Sequence, residues 1–151
     1  MAGYGHIVVC VDDSVSAAHV LAAARQLRSP DGTITLLHAI APPSFVMELA
    51  AGLGGGYIAD STPLFEVADQ WLASLCEEHE THRVLSGAPA PTIAEWARGH
   101  GADVIIVARH RSPEHALTGS FSMRLVSLTE CPVLLVDAGH PITTGEALAA
   151  G

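Results

Sequence analysis

Between Asp103 and Val136 the chain reads DVIIVA, RHRSPEHALTGS, FSMRLVSLTE, CPVLLV. Two short β-branched runs flank a polar loop and an amphipathic segment. Apolar runs this short and continuous read as strands buried on both faces. Two of them joined through a helix run parallel, by a right-handed crossover. The loop ends in Gly119-Ser120, where the helical pattern begins. Free backbone N–H groups and a hydroxyl at such a junction suit a phosphate. One stretch therefore predicts both a fold class and a candidate site.

The same alternation fills the rest of the chain. His6–Val11 (HIVVCV) has strand length and is followed by Asp12-Asp13-Ser14. Ala17, Ala18, Val20, Leu21, Ala24 and Leu27 then recur at helical spacing, with Asp13 or Ser14 as the cap. Ser29-Pro30-Asp31-Gly32 predicts a turn and Thr33–Ile40 a second strand. Ala41–Pro63 is irregular and Gly-rich, with room for a short helix over Phe45–Ala51. Long loops of this kind tend to be functional or mobile. Gly52–Gly56 fails a dinucleotide spacing, because Tyr57 stands where the last glycine belongs.

Pro63–His79 predicts a helix with Leu64, Val67, Ala68, Trp71, Leu72 and Leu75 on one face. His82–Ser86 reads as a third strand, broken by Gly87-Ala88-Pro89. A helix carrying Ile93, Trp96 and Ala97 ends near Gly99–Gly101. Asp103–Val107, a helix over Ser120–Thr129 and Pro132–Val136 complete the series. The order β-α-β-loop-α-β-α-β-α-β predicts an open, doubly wound, Rossmann-like α/β sheet. It forms one domain over residues 1–137, with 138–151 as a frayed tail.

Charge narrows the function. The chain has 7 arginines, no lysine and 16 acidic residues, for a net charge of −9. Nucleic acid and anionic membrane surfaces are poor partners for it. Without lysine it cannot build a P-loop. Arg109, Arg111 and Arg124 nevertheless make the region of the Gly119-Ser120 loop locally basic. Cys10, Cys76 and Cys131 are far apart and read as free buried thiols of a reducing compartment. Neither a leader nor an apolar run of about 18 residues is found, so the expectation is a soluble cytoplasmic protein. The histidines show no metal-ligand spacing: His79 and His82 flank Glu80 outside any HExxH pattern, and His110 and His115 lack partners. Ser120 and Ser122 have no base in sequence, so no catalytic residue is assigned.

HIVVCVDDS, TLLHAI, GAP before a helix, ADVIIVARHR and LTGSFSMRLVSLTECPVLLV, in that order, resemble the universal stress protein family. The resemblance runs from His6 to Val136 and implies a five-stranded parallel sheet of order 3-2-1-4-5. It also implies a homodimer through Pro132–Val136. One branch of that family binds ATP through Gly-x2-Gly-x9-Gly-Ser. Here Gly119 and Ser120 fill the last two positions, Ala108 and Arg111 replace the first glycines, and the loop is two residues shorter. Two readings stay open. In one, ATP or AMP, with Mg²⁺ accompanying ATP, binds with Asp12 facing adenine. Ala39 and Gly87 then lie beside the base, and Gly119, Ser120 and Ser122 face phosphate. Arg109 and Arg111 substitute for the lost glycine contacts. Hydrolysis would at most be slow. In the other, no nucleotide binds and the protein acts through an unknown protein partner. A related hydrolase or adenylating group would carry a Ser-Gly-Gly-x-Asp-Ser loop, where this chain has Val11-Asp12-Asp13-Ser14-Val15.

Overall fold

The structure is a computed structural model, and it describes residues 3–12, 14–41, 62–109 and 121–137. The expectations for a cap from Asp13 or from the Ser14 side chain, the Phe45–Ala51 helix, Arg111, Gly119, Ser120 and the tail lie outside what it describes. Five parallel strands pair in the order β3-β2-β1-β4-β5. They are β1 (Tyr4–Cys10), β2 (Arg28–Ile40), β3 (Glu80–Ser86), β4 (Val104–Arg109) and β5 (Val133–Asp137). The helices are α1 (Ser14–Leu27), α2 (Thr62–Leu75), α3 (Pro89–Gly99) and α4 (Phe121–Leu128).

Successive strand residues point to opposite faces, and here both faces of the central strands are covered, so Ile7–Cys10, Val104–Val107 and the middle of β2 stay largely apolar. Ile7, Val9, Ile34, Leu36 and Ile106 pack with α1 and with Leu72 of α2. Val8, Cys10, Leu37, Ile105 and Val107 pack with α3 and with Leu125 of α4. The helices meet the sheet largely through small residues, Ala17, Ala23 and Ala24 on one side and Ala90, Ala94 and Ala97 on the other. The doubly wound sheet expected from the sequence is therefore present, with its strand order.

Three local expectations differ. Ser29–Gly32 does not separate α1 from β2; it bulges within the β2 ladder. Tyr4 pairs with Arg28 but His6 already pairs with Thr33. Arg28 holds the bulge by donating from Nη1 to the carbonyls of Ser29, Pro30 and Gly32 at 3.4, 3.3 and 3.1 Å.

Helix α2 ends at Leu75, short of the expected His79. Glu77 donates its N–H to Glu80 Oε2 at 2.9 Å, and His79 takes a left-handed φ of 70°. The chain thus turns early and β3 begins at Glu80. The expected apolar face of α2 is also only partly inward. Ala68 and Leu72 are buried, whereas Leu64 and Val67 are 62% and 67% exposed. A stripe that wide presents its centre to the sheet and its margin to solvent.

One polar staple ties these elements. Arg25, near the end of α1, donates Nε to Glu80 Oε1 at 2.8 Å and Nη2 to Glu80 Oε2 at 2.9 Å. The same Nη2 donates to the Leu75 carbonyl at 3.1 Å, where α2 ends.

Candidate functional site

β1 has β2 on one side and β4 on the other, so the winding reverses there. In open parallel sheets the crevice outside the carboxyl ends at such a point is where ligands bind. The Val11 N–H donates to the Leu37 carbonyl at 2.9 Å, which carries the β1–β2 ladder just past the strand. Asp12 follows, exposed at the tip. Its Oδ1 accepts a 3.0 Å hydrogen bond from Ser16 Oγ, and Ser16 is buried in the first turns of α1. The helix therefore orients the carboxylate. Burial first, and the charge of Asp12 second, push the Cys10 thiol far up.

His38 was not among the residues expected in the site. Its Nδ1 lies 2.7 Å from the Val11 carbonyl. A carbonyl only accepts, so Nδ1 carries the proton and the ring braces the backbone immediately before Asp12. Trp71 of α2 meets that ring edge-on at 5.7 Å and 89°. The available signal was one histidine inside the otherwise apolar TITLLHAI, directly before Ala39.

Ala39 is half-buried near the end of β2 and packs on the α3 side of the sheet. One residue on, the Ile40 carbonyl accepts the Gly87 N–H at 2.9 Å. Gly87 has φ 147°, and a Cβ built on it would lie 2.2 Å from Thr92 Oγ1. Only glycine fits that turn. Pro89 then opens α3, where a missing N–H costs nothing.

Across β1, Ala108 and Arg109 end β4, opposite Val136 and Asp137 of β5. Ala108 is half-buried on the α1 side and Arg109 is exposed. Ser122 lies in the first turn of α4 and is half-buried. Gly87, Ala39, Asp12, Ala108 and Arg109 thus share the carboxyl edge of the sheet in that lateral order. Arg111, Gly119 and Ser120 fall outside the described residues.

A groove of about 610 Å³ lies at the opposite end, where Asp103 and Pro132 lead into β4 and β5. Glu95, Arg98 and Glu130 line it. Three carboxylates against one guanidinium make it a poor seat for an anion, and it holds none of the residues expected to contact a nucleotide. Among the described residues, no group of His, Cys, Asp and Glu side chains has a metal-binding arrangement. No described helix is long and apolar enough to cross a membrane.

The chain matches the model of the Universal stress protein family over residues 3–137. No curated protein matches it in sequence. Among solved structures, the hypothetical protein MJ0577 is 23% identical with a TM-score of 0.70, covering 89% of this chain and 96% of its own. A universal stress protein from Archaeoglobus fulgidus is 24% identical with a TM-score of 0.60, covering 88% and 98%. A universal stress protein in complex with cAMP is 19% identical with a TM-score of 0.59, covering 90% and 98%. At these identities the likeness is one of fold.

Proposed function

The chain belongs to the universal stress protein family, and on that premise we propose that it binds an adenine nucleotide, ATP or AMP, at the carboxyl edge of β1 and β4. The observation that carries this reading is the Asp12 carboxylate, held by Ser16 at the point where the winding reverses. An exposed carboxylate there accepts a hydrogen bond from the exocyclic amino group of adenine, and such charge-assisted bonds are strong. Ala39 and Gly87 border the base. Gly119, Ser120 and Ser122 take the phosphates, and Arg109 and Arg111 supply side-chain charge in place of motif glycines. Mg²⁺ would accompany ATP. The complex of a family member with cAMP supports a nucleotide as the ligand class. We read the protein as a cytoplasmic stress-response module that binds rather than turns over its ligand. Its three free thiols fit a reducing compartment.

Calorimetric titration of nucleotide-stripped protein tests this. ATP or AMP is expected to bind in the micromolar range, and Asp12→Ala to weaken binding about tenfold, as loss of one charge-assisted hydrogen bond requires. Absence of heat with both nucleotides would overturn the reading.

A second reading rests on β5, an edge strand. Leu134 and Leu135 are 37% and 43% exposed, on its two opposite faces. An apolar unpaired edge invites a second copy. A homodimer through β5 follows, with sedimentation equilibrium as its test: a monomer at all concentrations would exclude it.

A further inference from the structure

The chain has three thiols, and they differ in their neighbours. Cys10 is 7% exposed, and its burial keeps it protonated. Cys131 donates its Sγ to the Ala102 carbonyl at 3.3 Å, and burial followed by Asp103 push that thiol up. Neither has a base beside it in these contacts. Cys76 does. Its Sγ lies 3.9 Å from His82 Nδ1, and His82 Nε2 lies 3.0 Å from Asp69 Oδ1.

The third group fixes the tautomer. An ionised carboxylate only accepts, so Nε2 carries the proton and Nδ1 turns its lone pair toward the sulfur. This is the order of nucleophile, base and orienting carboxylate that activates thiols and hydroxyls on unrelated folds. Asp69 and Cys76 stand two helical turns apart along α2 and its end, hence on one side, and β3 brings His82 between them. The His82 side chain is 25% exposed and that of Asp69 is 61% exposed, so a reagent can reach the cluster. By its sequence Cys76 reads as a free buried thiol. It is only half-buried, and the grouping exists only once α2 packs beside β3.

We propose that Cys76 is a reactive thiol, deprotonated by His82 and positioned through Asp69, that forms a mixed disulfide with small organic disulfides. In the step, Nδ1 takes the thiol proton as Sγ attacks one sulfur of the reagent. The Cys76–sulfur bond forms, the reagent's own S–S bond breaks, and the other sulfur leaves as a thiolate that collects the proton. The disulfide is the only oxidant required. Charged groups of β3 and α1 bear on the sulfur. Burial and Glu80 of β3 raise the resting thiol, while Arg25 of α1 lowers it. Glu77 is held by Arg25 at 3.3 Å. The resting sulfur is therefore protonated and its reaction depends on the base.

The test is to treat the full chain with dithiodipyridine, an uncharged aromatic disulfide, and to map the adducts by peptide mass spectrometry over a range of pH. Cys76 is expected to react first, about tenfold or more ahead of Cys10 and Cys131. His82→Gln should slow it about a hundredfold, the low end for a general base, and remove the inflection that the imidazole gives the pH profile, leaving only the rise with pH that thiolate formation itself produces. Asp69→Asn should slow Cys76 several-fold and move its pH profile, which a merely structural role would not do. Labelling of Cys131 ahead of Cys76, or an unchanged pH profile in both variants, would overturn the proposal. Should His82→Gln unfold, Cys10 would label equally fast, and the exposed Asp69→Asn variant then decides.

Discussion

Replacing Arg25 by methionine is expected to lower the unfolding free energy by about 3 kcal/mol, the usual cost of removing one partner of a buried ion pair. The Glu80 side chain is only 6% exposed, and its two oxygens meet Arg25 at 2.8 and 2.9 Å. Methionine keeps much of the stem's volume but leaves that carboxylate buried without its cation. Arg25 itself is 30% exposed, so water offsets part of the loss and the low end of the range applies. The loss extends beyond one contact, because the same guanidinium holds the Leu75 carbonyl at the end of α2.

The pH dependence has a definite sign. Burial alone would raise the Glu80 carboxyl. The hydrogen bonds from Arg25 and Glu77 and the charges of Arg25 and Arg28 outweigh it and hold the group below its ordinary 4.5. A depressed carboxyl stabilises the fold fully above the unfolded value and loses that contribution as pH falls through the folded value. The penalty of Arg25→Met should therefore be full at neutral pH and shrink below about pH 4.5. Denaturant titrations at both pH values measure this. A neutral-pH loss under about 1 kcal/mol would place the pair among weak surface bridges.

Gly87→Ala is expected to cost about 3 kcal/mol, from two separable sources. At φ 147° any side chain strains the backbone, and the new Cβ would lie 2.2 Å from Thr92 Oγ1. Thr92 is β-branched, so turning its hydroxyl away brings its methyl group round instead. Gly87→Ala combined with Thr92→Ala should recover the steric share and leave the backbone share. A double-mutant cycle would then show coupling of about 1 kcal/mol. If Gly87→Ala is tolerated within about 0.5 kcal/mol, the turn is not the fixed border of the site described above.

What the sequence made legible follows from what is local. Runs such as VIIVA declare strands because both faces are covered, and helices with one apolar stripe declare which side they bury. Asp12, Ala39, Gly87, Ala108 and Arg109 are singled out by the family resemblance rather than by local pattern, and they do share one edge of the sheet. The misreadings also have local causes. Ser29–Gly32 carries turn residues, yet a bulge uses the same residues as a turn. Leu64 and Val67 fit the apolar period of α2, but periodicity does not say how wide a face the sheet will cover.

Long-range pairings left no trace at all. Arg25 with Glu80, His38 with Trp71, and Cys76 with His82 and Asp69 are made by packing. Each residue alone looks like an ordinary surface charge, a stray histidine or a buried thiol.

The most direct test of the nucleotide site is residue-resolved: amide NMR spectra of the stripped protein during a titration with AMP. Perturbations are expected at Asp12, Ala39, Gly87, Arg109 and Ser122, with little change at the far end of the sheet. Shifts confined to the groove around Glu95, Arg98 and Glu130, or no shifts at about millimolar AMP, would contradict a nucleotide site at the carboxyl edge of β1 and β4.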